Sequence, residues 1–338
     1  MHAASSSPMT YAARTPPSQR ISDGTAARGA RRTLCVRTRR AHHRGRTLLE
    51  VLVALAIGSV VLGAVLVAVT GSGLTGRKQD AQAQLAEDGQ IALNLMATQL
   101  RMAGFWVPTS MSLSIDRPAD PMLVGCRNGF TNAVAAWAVL GCVGGATVSG
   151  RDAIAVRFDA SEGGVATATD CLGNDLVAFG GWVDDRFYVA PAADTPTGNP
   201  ALYCKGAGSV QPQMLMDNVE GLSLRYGVAA VNTPDESSNR LFDLPAFGGE
   251  TVTYMTADDL TAACPVAGPV PANSWCAVSS IRICLLMRSA DNAVDEASTP
   301  YVDCDGQQRA QPDRRLRRAL ATTVSIRNRT AVPSVSAL

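Results

Sequence analysis

Histidine is almost missing from this 338-residue chain: His2, His42 and His43 are all it has, and all three precede residue 45. Without that head, no histidine remains for Ser-His or Cys-His nucleophilic catalysis or for an imidazole metal site. G-x-S-x-G, G-x-x-x-x-G-K-[ST] and C-x-x-C are also absent, so the nucleophile elbow, the phosphate loop and the zinc knuckle have no sequence basis. No catalytic residue, metal site or cofactor is expected.

Acidic residues are just as scarce in the head. Residues 1–45 hold nine arginines against Asp23 alone. The rest of the chain carries 21 basic and 28 acidic side chains (30 less 9, and 29 less 1), a net of −7. That acidic balance argues against a nucleic-acid partner. From Val51 to Thr70 there is no charge at all, and these 20 residues reach roughly 30 Å as a helix, the depth of a bilayer core. A basic head before such a run stays cytoplasmic, so residues beyond it are expected outside the cytoplasm.

Cysteine usage fits an oxidising compartment. Cys35 lies in the head; Cys126, Cys142, Cys171, Cys204, Cys264, Cys276, Cys284 and Cys304 follow the apolar run, enough for four disulfides. Nearest neighbours give 126–142, 171–204, 264–276 and 284–304 as one guess among 105 connectivities.

After the run, Gly71, Gly73 and Gly76 spell G-x-G-x-x-G, but the preceding segment is too long for a strand and no acid follows at the ribose-binding distance. A flexible or locally unwound point between two helix segments is the expectation. Ala81, Leu85, Ala92, Met96, Leu100 and Ala103 then mark one helical face, widened by Ile91, Leu95 and Met102, and Gly104 is a stop signal. The helix is expected from about Thr47 to Ala103. From Gly104 on, β-branched segments at 153–158, 175–179, 186–190, 222–228, 251–255, 279–288 and 322–328 read as strands between Gly/Pro-rich loops. The fold class is α+β. "YVDCDGQQ" (301–308) lacks EF-hand spacing and reads as a solvated turn; "RRLRRAL" (314–320) reads as a solvated approach to the last strand.

"GRTLLEVLVALAIG" resembles the class III signal of type IV pilins and pseudopilins: a glycine, a cut, and a glutamate fifth after it. "LAEDGQIALNLMATQLRMAGF", "RFYVA", "DNVEGLSLRYGV", "SSIRICLLMRS" and "TTVSIRNR" resemble the body of PilW-type minor pilins. Arg46 stands where the family usually has phenylalanine. The resemblance implies a pilin-like fold, a long N-terminal helix packed on a disulfide-bearing antiparallel sheet domain. It divides the chain into a removed leader (1–45), a helix (46–103; membrane-spanning 47–70, amphipathic 77–103) and a periplasmic β-rich domain (104–338).

The implied function is type IV pilus assembly, in a priming or tip complex. A prepilin peptidase cuts between Gly45 and Arg46. Glu50 meets the new α-amino group of a neighbouring subunit, since carboxylate and ammonium lower each other's desolvation cost. Glu50 also completes a Thr47-x-x-Glu50 capping box, and both readings stand. Ala54, Gly58, Ser59 and Gly63 allow close helix packing, or reflect ordinary glycine usage in membrane helices. The implied partners are other minor pilins, the major pilin, the prepilin peptidase, an inner-membrane assembly platform and a tip adhesin. The implied location is the inner membrane, with the N-terminus cytoplasmic and the domain periplasmic, and then the pilus. A type II secretion pseudopilin is the alternative; a periplasmic enzyme or binding domain on a signal anchor is a third reading.

Overall fold

The computed structural model describes residues 47–105, 122–146, 148–160, 169–176, 181–231, 247–260, 274–294, 300–326 and 328. Residues 1–46, with the expected cut site at Gly45 and Arg46, lie outside them, as do Cys264 and residues 177–179 of one expected strand. Contacts divide the chain into Met1–Val61 and Leu62–Leu338.

Helix α1 covers Leu48–Met102 without interruption. The expected unwinding at Gly71–Gly76 does not occur. Each glycine costs about 1 kcal/mol against alanine, but a helix already nucleated on both sides propagates through them, because the backbone ladder needs no side chain. Gly104 ends it at φ +74°, a left-handed conformation that glycine adopts without a Cβ clash. Its N–H donates to the Arg157 carbonyl at 2.9 Å, and Asn328 Nδ2 donates to the Arg101 carbonyl at 2.9 Å. The helix terminus is thus closed by the domain.

Eleven strands are described. β1 (Leu123–Cys126), β2 (Ala153–Asp159), β3 (Trp182–Ala190), β4 (Ala201–Lys205) and β5 (Gln213–Asp217) form one antiparallel sheet in sequence order. β6 (Val219–Val231), β7 (Phe247–Met255), β8 (Val278–Asn292) and β11 (Arg315–Ser325) form a second, ordered β11-β8-β6-β7 and also antiparallel. β9 (Tyr301–Val302) and β10 (Gln308–Arg309) pair as a small hairpin. The chain passes from the first sheet to the second through Asn218, at φ +60°, one of the residues that tolerates this region.

Five of these strands, β1, β4, β5, β9 and β10, are too short or carry too little apolar alternation to be read from sequence. β11 begins seven residues before the expected 322, so "RRLRRAL" is strand rather than approach. Alternation explains it: Arg317 is buried against carboxylates on one face of the strand while Arg318, on the other face, is exposed.

One buried cluster joins Leu85, Leu93, Met96 and Leu100 of α1 to both sheets, including Ile154, Phe187 and Leu202 of the first and Leu224, Ile281, Ile283, Leu285 and Met287 of the second. The period-2 run 281-283-285-287 supplies one face of β8. Ile91, expected on the buried face, is 51% exposed; the face widens on its other flank instead, through Leu93 and Ala97. Gly89 is buried because a Cβ there would meet Leu320 Cδ1 at 2.2 Å and Met287 Cγ at 3.1 Å. A glycine at mid-helix therefore brings α1 close to β8 and β11.

Candidate assembly interface

At the head of α1, the Thr47 hydroxyl accepts the Glu50 N–H at 3.4 Å and the Thr47 carbonyl accepts it at 3.0 Å. This is the N-cap half of the capping box. It leaves the exposed Glu50 carboxylate at the first turn, where the helix dipole favours negative charge. Leu48–Val69 follows, the one helix among the described residues long and apolar enough to cross a membrane, and none of it is buried in the protein. Leu48, for instance, is 78% exposed. An apolar stripe left this bare needs another cover.

The small residues of this segment fall on two faces. At about 100° per residue, Glu50, Ala54 and Gly58 share one face, and Ser59 and Gly63 share another roughly 140° round. Nothing in the protein approaches a Cβ placed at Gly58 or Gly63 within 4 Å. The Ser59 hydroxyl donates to the Ala56 carbonyl at 2.9 Å, so it enters an apolar medium already satisfied.

The domain that carries this helix is fastened covalently. Disulfides join Cys126 to Cys142, Cys171 to Cys204 and Cys284 to Cys304. Cys276 is also disulfide-bonded. Ionic fastening is equally specific. Arg317, its side chain 1% exposed, meets Glu220 with Nε at 2.5 Å and Nη2 at 3.0 Å, and Asp313 with Nη1 at 2.6 Å. Burial pulls this guanidinium's pKa down, but the bonds to Asp313 and Glu220 more than offset it and hold it above the ordinary value. Asp303, in the turn read as solvated, accepts the N–H of Asp305 at 3.0 Å and of Gln307 at 2.9 Å and pairs with Arg309 at 2.7 Å. It shapes the β9–β10 turn.

Two buried carboxylates go the other way. Asp185 accepts the N–H of Cys171 at 2.9 Å and of Ala207 at 3.2 Å, pinning both flanks of the 171–204 disulfide. Burial, reinforced by the nearby Asp170 charge, pushes it up from 3.8 to about 7 despite those bonds. Burial likewise pushes Asp152 up to about 6, opposed by the Leu224 N–H and Arg127. The sign of the linkage follows. Between pH 3.8 and about 7 the folded state holds the Asp185 proton and the unfolded state does not, so its contribution is full below 3.8 and is lost as pH rises through 7. It amounts to at most roughly 4 kcal/mol. Thermal unfolding of the wild type and Asp185→Asn at pH 5 and pH 8 measures it: the wild type loses stability between the two, and the variant's loss is smaller.

Sequence reasoning missed Arg317, Gly89 and Asp185. Arg317 had a signal in the alternation of "RRLRRAL", and Gly89 in its place on an amphipathic helix. Asp185 had none, because its burial depends on loops distant in sequence.

Compared with known families, residues 186–328 match that described as Type IV Pilus-assembly protein W. Residues 40–66 match the prokaryotic N-terminal methylation motif, which contains Gly45, Arg46 and Glu50. The chain is a type IV pilus pilin of the PilW type. The first match spans the whole second sheet together with β4 and β5 of the first and the β9–β10 hairpin; the second spans the head of α1. Among solved structures, a type IV-like pilin from Thermus thermophilus is similar over 73% of this chain and 98% of its own, at 13% identity and a TM-score of 0.36. A search of curated proteins finds no match. As a PilW-type minor pilin, the chain is a membrane-anchored prepilin that works among other pilins in type IV pilus assembly. The family's role is structural.

Proposed function

We propose that this minor pilin takes part in the priming or tip complex of a type IV pilus, through a helical bundle ordered by Glu50. A prepilin peptidase cuts after Gly45 and leaves Arg46 as the N-terminus. Glu50 then accepts the α-amino group of a neighbouring subunit. A carboxylate and an ammonium each cost several kcal/mol to desolvate alone and offset one another when paired. Pairing is possible at one axial stagger, so it sets the register. Ala54 and Gly58 on the Glu50 side, and Ser59 and Gly63 on the other, let two neighbours approach.

The observation that carries this reading is the wholly uncovered Leu48–Val69 segment with Glu50 at its head, continuous in one helix with the domain core. The basic head supports an inner-membrane orientation with the domain in the periplasm, where its disulfides form. Other minor pilins, the major pilin, an inner-membrane assembly platform and a tip adhesin are the partners of such a complex. The identity of the mature N-terminus tests the reading, with Arg46 expected.

A further inference from the structure

The outward face of the second sheet is covered in one part and open in another. Across the ladder, Arg225 of β6 stands opposite Arg282 of β8, and Arg282 stands opposite Thr323 of β11. The β9–β10 hairpin is tied to this face by the Cys284–Cys304 disulfide, and its Asp305 pairs with Arg225 at 2.7 Å. Arg282 is exposed, and among the described residues it has no hydrogen bond or ion pair. It lines an open depression of about 350 Å³ with Tyr254, Ala321, Thr322 and Thr323. The Ser280 hydroxyl donates to the Tyr254 hydroxyl at 3.4 Å, linking that ring to β8 at the pocket's side.

Like charges directly opposite on adjacent strands repel, and the hairpin carboxylate neutralises only one of this pair. The second guanidinium, with its fixed fork of donors, is left beside a pocket of the right polarity for an incoming carboxylate. We propose that this pocket docks an aspartate or glutamate on an exposed loop of a neighbouring pilus subunit, which does for Arg282 what Asp305 does for Arg225. The proposal rests on the assembly reading above. Charge complementarity selects the occupant: an exposed cation with no partner among the described residues, flanked by hydroxyls and a phenol.

The test uses the full chain in piliated cells, with a benzoylphenylalanine photo-crosslinker at Tyr254 in one strain and at Leu55 of the span in another. Tyr254 is expected to crosslink to a pilus subunit at a peptide bearing Asp or Glu, and Leu55 to pilus subunits in the bundle. Arg282→Glu should reduce the Tyr254 crosslink about tenfold, a loss of about 1.4 kcal/mol. Thr323→Glu should do the same by supplying an internal carboxylate across the ladder, in a chain that melts as the wild type does. A Tyr254 crosslink that is absent, or that survives either substitution, while the Leu55 crosslink is present overturns the pocket alone. Absence of both crosslinks overturns the assembly reading and the pocket with it.

Discussion

Glu50→Ala is expected to leave the protein made, inserted and folded, yet cut its incorporation into pili by about two to three orders of magnitude. Glu50 is exposed, so stability of the folded domain is expected to be unchanged. What is lost is the partner of an α-amino group held in an apolar bundle. Removing one member of a buried ion pair typically costs about 3–5 kcal/mol, because the other charge stays desolvated and uncompensated. At about 1.4 kcal/mol per factor of ten, that gives the expected loss. Glu50→Gln separates charge from size: if the charge matters, Gln behaves as Ala does. If the carboxylate serves only as the reciprocal half of the N-cap, Gln restores incorporation, since an amide oxygen satisfies a capping box equally well. Immunoblots of sheared pili against membrane fractions read the difference directly.

The second large effect is expected in the domain. Cys171 and Cys204 are both buried in the core cluster, with 33 positions between the ends of the loop they close. In the chain-entropy account a loop of that size contributes roughly 3–4 kcal/mol. Cys171→Ala with Cys204→Ala removes that and two buried sulfurs, and for a domain of this size should lower Tm by roughly 10 °C. The loops at 171–174 and 206–208 loosen first, because Asp170 and Asp185 hold them by backbone N–H groups that the disulfide keeps aligned. Hydrogen exchange at Cys171, Asn174, Ala207 and Gly208 in the reduced wild type should therefore rise before that of β8. Equal protection of all these amides in reduced and oxidised protein would show the disulfide to be dispensable.

Much of this arrangement is legible in the residues because it is local. The uncharged run, the basic head and Glu50 are adjacent in sequence, so the anchor can be read without knowing the fold. The three disulfides between described residues join neighbouring cysteines, separated by 16, 33 and 20 positions, for which loop closure costs least. β2, β6 and β8 announce themselves through branched side chains. What escaped depends on distant partners. "RRLRRAL" is a strand because Arg317 finds Glu220, 97 positions away, and without that carboxylate a run of arginines belongs in water. Gly71–Gly76 reads as a break by local propensity, but cooperativity from both flanks overrides it. Ile91 lies on the flank of α1 turned away from the sheets and is exposed, whereas Leu93, on the opposite flank, is buried in the core cluster. The roles of Gly45, Arg46 and Glu50 lie in other molecules, a peptidase and a neighbouring pilin, and for that reason chemistry at those positions is a proposal.

The measurement that tests the central claim most directly is the N-terminal sequence and intact mass of the protein from membranes of cells carrying a prepilin peptidase. The account predicts an N-terminus at Arg46, with loss of that species when Gly45 is substituted; the mass also shows any N-methyl group. A retained 45-residue head would leave a signal anchor with no ammonium for Glu50 to order, and a cut after Thr70 would release a soluble domain. Either result would contradict assembly through the helical bundle.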